Sequence, residues 1–212
     1  MYSIFNSSYA CSVEYNFDFF VLMQTVMNNE NCASRVNIID GALINKDKRR
    51  ELFGQAHNAE RFQISAITHA TGVECARTNV RINLRSYSLV SVARPNIKED
   101  GFDYTENFDC VQQCGKKSIY INLKCIVGKG GFQTRSLREV YWFIEGQLNV
   151  LRKEKQNCNI YFANILDGDE CARVMDKFAY LIMQDKNRAY SKKIYVGDLK
   201  NYITWFVSMN KY

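Results

Sequence analysis

The chain predicts a layered α/β or α+β domain, and three observations predict it. The first is residues 136–155, SLREVYWFIEGQLNVLRKEK, where Leu137, Val140, Tyr141, Ile144, Leu148 and Leu151 recur at helical spacing and form one broad apolar face. The second is the alternation of apolar and polar residues over 79–84 and 118–127, which is the period of strands. The third is composition: 212 residues with 47% hydrophobic and 24% charged side chains suit one substantial core. A helix with a wide apolar face must lie on something, and the strands supply that surface.

The elements follow in order. Residues 1–16 mix small polar groups with Tyr2, Phe5, Tyr9 and Tyr15 and show no period, so they read as an arm that stays loose unless a surface holds it. Over 17–30 the spacing predicts a helix, apolar on more than one side through Phe17, Phe20, Val21, Met23, Val26 and Met27. Such a helix is buried in the core or against a neighbouring molecule. Asp40-Gly41 between Val36-Asn37-Ile38-Ile39 and Ala42-Leu43-Ile44 predicts a hairpin. The polar, basic 46–58 reads as loop or short helix. Alternation of Phe62, Ile64 and Ala66 suggests a strand over 61–68, turning at Thr71-Gly72. In 79–84, Val80, Ile82 and Leu84 point one way and Arg81, Asn83 and Arg85 the other. The phase shifts past Ser86, which suggests a bulge or a change of partner.

Residues 95–117 read as a long irregular excursion, acidic first and basic last, of a length that usually binds something. Ile119, Ile121, Leu123 and Cys125 then share a strand face. Ser136 with Glu139 reads as a capping box opening the central helix. A strand over 159–166 follows, then a helix capped by Asp169 and running to Asn187, with Val174, Phe178, Leu181 and Ile182 inside. The segments 194–196 and 202–207 are short and aromatic. Without repeat, low-complexity run or linker, 1–212 reads as a single domain, with 1–30 as a projecting arm and helix.

No apolar run approaches bilayer length, and MYSIFNSSYA lacks the basic start and apolar centre of a secretory signal, so no membrane is expected and the cytosol is. Eight scattered cysteines are then expected to be mostly reduced and buried. The net charge of +6 permits an acidic partner without demanding one. A single proline, Pro95, and abundant Asn, Lys, Ile and Tyr are what an AT-rich genome writes, a hint of viral origin.

No constellation carries a catalytic signature, so no enzyme, metal or cofactor is assigned. His69 and Cys75 straddle a turn but have no surrounding motif for nucleophilic catalysis. Cys110-x-x-x-Cys114 with Cys125 is half a zinc site lacking its second pair. Gly128-Lys129-Gly130-Gly131 precedes the central helix, where an anion would be welcome at the helix N-terminus with Lys129 and Arg135 near. Neither the Walker nor the dinucleotide pattern is met. Asp167-Gly168-Asp169-Glu170 suits a hard cation or, equally, a turn and cap. Arg81 and Arg85, with Lys116, Lys117 and Lys124, make a candidate basic strip for nucleic acid, with Tyr87 or Tyr120 to stack a base.

The N-terminal arm, the apolar helix over 17–30, the strand-rich middle over 36–44, 62–92 and 119–127, and the mixed C-terminal third together make the chain resemble the cypovirus polyhedrins, along its whole length. That resemblance implies a mainly antiparallel β-sandwich packed with several flanking helices, including an N-terminal helix. It implies homotrimers that assemble into a crystalline lattice around virus particles, in occlusion bodies in the cytoplasm of the infected host cell. Tyr2, Phe5, Tyr9, Phe17 and Phe20 would be the lattice contacts. It also implies dissolution in alkali, and 13 Tyr and eight Cys fit, since their ionisation and the neutralisation of Lys fall between about pH 8.5 and 10.5. The other expectation is a nucleic-acid or nucleotide-binding module using Arg81, Arg85, Lys116, Lys117, Lys129 and Arg135.

Overall fold

The computed structural model describes residues 57–92, 95–126, 130–154 and 158–210. The arm with Tyr2, Phe5 and Tyr9, the helix expected over 17–30 with Phe17 and Phe20, the hairpin expected over 36–44, and Lys129 lie outside the described residues.

Within them the chain is α+β. Helix α1 (His57–Thr71) leads to β1 (Ala76–Arg77) and the hairpin β2 (Val80–Asn83) and β3 (Ser88–Ser91). A short α2 (Ile97–Asp100) precedes β4 (Cys110–Cys114) and β5 (Lys117–Cys125), and α3 (Gly131–Glu154) crosses over to β6 (Ile160–Asp167). Then come α4 (Asp169–Arg173), α5 (Met175–Met183), α6 (Asp185–Arg188), β7 (Ile194–Gly197) and α7 (Leu199–Asn210). One sheet has the order β1-β4-β5-β6-β7, and β2-β3 form a second, small one. The pairs β1-β4 and β4-β5 are antiparallel, while β5-β6 and β6-β7 are parallel.

This mixed sheet corrects the expectation of an antiparallel sandwich. Parallel neighbours require crossovers, and each crossover lays helices on a sheet face. Six of the eight β6 residues, from Phe162 to Asp167, are buried, the signature of a central parallel strand covered on both sides. One core layer joins the sheet to α3, α5 and β2 through Phe108, Phe162, Ile144, Leu148, Phe178 and Ile82. The opposite layer joins it to α1 and α7 through Ile67, Ile119, Ile121, Ile165, Tyr202 and Phe206.

Several local expectations change with it. The stretch 61–68 is helical inside α1, and its buried residues Phe62, Gln63, Ala66 and Ile67 fall at the i, i+4 spacing that a short alternation also satisfies. The supposed excursion 95–117 holds α2 and β4. Cys114 and Lys117 close a two-residue turn, with Gly115 at φ 59 supplying the conformation that most residues avoid. The phase shift past Ser86 is a hairpin turn, with Asn83 paired to Ser88. Helix α3 begins five residues before Ser136, so that serine is no cap. The helix expected from Asp169 to Asn187 breaks at Val174 and Gln184, and 202–207 belongs to α7, where Leu199, Tyr202 and Phe206 are buried. No helix among the described residues is long and apolar enough to cross a membrane.

Candidate functional site

The expected basic strip does not exist as one surface. Lys116 and Lys117 sit at the opposite end of β5 from Lys124, about 23 Å away at strand rise. Lys117 donates to the Met209 carbonyl at 2.6 Å, at the end of α7. Arg81 is a structural clamp: it donates to the Val92 and Thr105 carbonyls at 2.9 and 3.1 Å and ties the hairpin to the segment before β4. Arg85 pairs with Asp103 at 2.7 Å, and Arg135 is exposed on α3. Tyr120 is half-buried, its ring packed against Phe108 and Phe162.

Other candidates resolve into structure. Cys75 and Cys110 form a disulfide that joins β1 to β4, which removes Cys75 as a thiol nucleophile and Cys110 as a metal ligand. The expectation that the cysteines are mostly reduced does not hold for this pair. His69 is exposed on α1. Asp167 is fully buried, accepting hydrogen bonds from Gln63 Nε2 at 2.6 Å and the Leu199 N–H at 3.2 Å. Burial pushes its carboxyl up to about 8. Glu170 pairs with Arg173 at 2.7 Å.

What the fold does assemble lies at the open end of the β4-β5 hairpin. Asp109, the residue before β4, donates its N–H to the Ile121 carbonyl at 2.9 Å, and its carboxylate accepts the Leu123 N–H at 2.6 Å. The pairing of β4 with β5 ends at Cys110 opposite Ile121, and the Asp109 N–H turns to the Ile121 carbonyl and does not continue that register. Asn122 and Lys124 share one face of β5, whereas Asp109 lines a hollow with Glu60 of α1. The Lys124 ammonium lies 3.4 Å from Glu106. Burial pushes the Asp109 carboxyl up to about 6; the Leu123 N–H opposes this, Glu60 from the first turn of α1 adds to it, Lys124 lowers it and Glu106 raises it. Four ionisable side chains therefore act on one another at this end of the sheet.

Asn122 is held by an amide chain running through the core. Its Nδ2 donates to Asn164 Oδ1 at 3.2 Å, and Asn164 and Gln147 exchange hydrogen bonds of 2.7 and 3.0 Å between β6 and α3. Asn122 is only 3% exposed, and no buried side-chain nitrogen or oxygen among the described residues is left without a hydrogen-bond partner.

Two hollows flank these residues. A polar one of about 220 Å³ is lined by Glu60, Arg77, Asn107 and Asp109. A larger, mainly apolar one of about 610 Å³ has Asn122, Lys124 and Glu106 at one part and Tyr87, Phe102 and Trp142 at another. No group of three or more His, Cys, Asp or Glu among the described residues is placed to hold a metal ion. The Asp109 carboxylate suits a hard cation only if water or a bound phosphate completes its shell, which is how Mg²⁺ is commonly held.

Sequence reasoning missed Glu60, Asp109 and Asn122 as functional candidates. The signal was there: an Asp, a two-residue turn containing Gly115, then Asn-x-Lys on the returning strand. Reading 95–117 as irregular hid it. Comparison with protein-family models, with curated proteins and with solved structures finds no match. Function is accordingly argued from the site's own chemistry.

Proposed function

We propose that the chain binds nucleic acid by a backbone phosphodiester at the end of the β4-β5 hairpin and hydrolyses it with a divalent cation. The observation that carries this reading is the cluster of Asp109, Glu60, Lys124 and Glu106, which act on one another electrostatically at this end of the sheet, with Asn122 beside Lys124 in the larger hollow. Lys124 supplies a cation for a non-bridging phosphate oxygen, and Glu106 competes for it until substrate arrives. Asp109 presents a carboxylate positioned by the Leu123 N–H in the hollow that Glu60 also lines, and Asn122, fixed by Asn164, lies beside Lys124. A divalent cation held by Asp109, with water completing its shell, would supply Lewis acidity toward the phosphoryl group and acidify a water, whose proton Glu60 would accept. The new P–O bond forms as the bond to the sugar oxygen breaks, and the leaving oxygen takes a proton from solvent.

The test is incubation of the purified full chain with end-labelled single- and double-stranded DNA and RNA, with Mg²⁺, Mn²⁺ or chelator. Cation-dependent cleavage is expected, reduced at least ~100-fold in Asp109→Asn and Lys124→Ala, as for loss of one electrostatic group in a site. Binding without cleavage under every cation would remove the hydrolysis and leave a binding module. Absence of both would overturn the reading.

A second reading is favoured by exposed apolar side chains. Phe132 and Tyr180 are 75% and 69% exposed, and a neighbouring copy could cover them. On this reading the chain is the occlusion-body matrix protein that the polyhedrin resemblance implies, assembling as trimers into a lattice that dissolves in alkali. Burial holds Tyr195 and Tyr202 protonated beyond the usual phenol range, so exposed tyrosines would supply the dissolving charge while the fold survives. Expression in insect cells tests it: crystals that clear near pH 10–11, where Tyr and Lys ordinarily titrate, support it, and a freely dispersed protein at neutral pH counts against it.

A further inference from the structure

We propose that the larger hollow is a stacking site for a single unpaired nucleobase, whose own phosphate lies at Lys124; this rests on the phosphodiester reading above and names its substrate as single-stranded nucleic acid. The hollow lies between α3 and the segment containing Tyr87 and Phe102, and its about 610 Å³ falls within the range of small-molecule sites. Three large rings border it, all with much of their surface exposed. Trp142 is 59% exposed on α3 beside the buried Phe143, and Phe102 is 97% exposed. Tyr87 occupies a left-handed conformation at φ 47, one that a non-glycine aromatic adopts at a cost of about 1 kcal/mol or more.

A base has two apolar faces and a polar edge, and the hollow matches both. Aromatic faces are the platforms on which bases stack, and such stacking tolerates any sequence. Glu139 and Glu145 also line the hollow, and their carboxylates accept hydrogen bonds from exocyclic amino groups. These carboxylates and that of Glu106 repel phosphate, so Lys124, the one lysine in the lining among the described residues, fixes where the backbone lies. That places the base on Trp142 and its phosphate toward Lys124 and Asn122. A base inside a duplex has both faces already stacked and does not fit.

Trp142 is one of two tryptophans in the chain and reports its own occupancy. Trp205→Phe makes it the sole emitter, and this full-length variant is titrated, in chelator to prevent cleavage, with an octanucleotide, an abasic octamer of equal charge, and free guanosine and cytidine. Quenching by the octanucleotide and by nucleosides, with little by the abasic strand, is expected. Trp142→Ala, at an exposed position that leaves the fold intact by circular dichroism, should bind the octanucleotide roughly tenfold more weakly and no longer discriminate it from the abasic strand. Equal quenching by the abasic strand, or undiminished discrimination in Trp142→Ala, overturns the stacking site. If no strand binds at all, the phosphodiester reading fails, and the nucleosides decide the hollow separately: quenching supports it and none overturns it.

Discussion

Two carboxylates at strand ends have opposite fates. Asp109 is half-covered and shares its surroundings with Glu60, Lys124 and Glu106, whereas Asp167 is fully enclosed, held by Gln63 and the Leu199 N–H with Asp198 near. Asp167 makes stability depend on pH. Unfolded, it releases its proton near pH 4. Folded, burial raises the carboxyl to about 8, so between those values the folded state carries the extra proton. The stabilisation is complete below pH ~4 and lost as pH rises through about 8, by roughly 1.4 kcal/mol per unit. Asp109, raised to about 6, adds a slope of the same sign that ends earlier, which leaves pH 6–8 to Asp167. Asp167→Asn keeps an acceptor for the Leu199 N–H and removes the titration. Thermal unfolding followed at half-unit steps should show the fall between pH 6 and 8 in the wild type and not in the variant; an identical slope in both would assign it elsewhere.

At the scale of elements, legibility followed how much of the local pattern was private to one structure. The central helix was readable because six apolar positions over four turns admit no strand, although its start moved to Gly131. Strands β2, β5 and β6 were readable from alternation or from an unbroken apolar run. Helix α1 was not, because Phe62, Ile64 and Ala66 satisfy two periods over so few residues, and its burial against β5 and α7 decides between them. Gly168 gives the element scale its own prediction. It joins β6 to α4 at φ 102, and a Cβ there would run into the Ile126 carbonyl. Gly115, at φ 59 in the β4-β5 turn, has open space around it. Gly168→Ala should therefore lose about 3 kcal/mol or fail to fold, while Gly115→Ala loses about 1, the strain of the left-handed conformation alone. Denaturant midpoints of the two variants check this, and equal losses would mean the Ile126 loop yields.

For the whole molecule, the site depends on long-range pairing that no window of sequence displays. Glu60 reaches Asp109 only because α1 packs on β5, and Asn122 is fixed only because β6 and α3 bring Asn164 and Gln147 beside it. The Cys75–Cys110 disulfide stands next to this assembly, closing a loop of sequence separation 35 and holding β1 on β4. A loop of that size constrains the unfolded chain by up to about 4 kcal/mol in the entropic account. Asp109 neighbours Cys110, yet its position has independent anchors in the Ile121 carbonyl and the Leu123 N–H. Reduction should thus lower the melting temperature by several degrees, about 2–4 °C per kcal/mol in a chain of this size. Below that temperature, cation-dependent cleavage should persist. Melting curves and cleavage rates with and without dithiothreitol separate the roles: a stable but inactive reduced protein would show that the disulfide, and not the β5 backbone, positions Asp109.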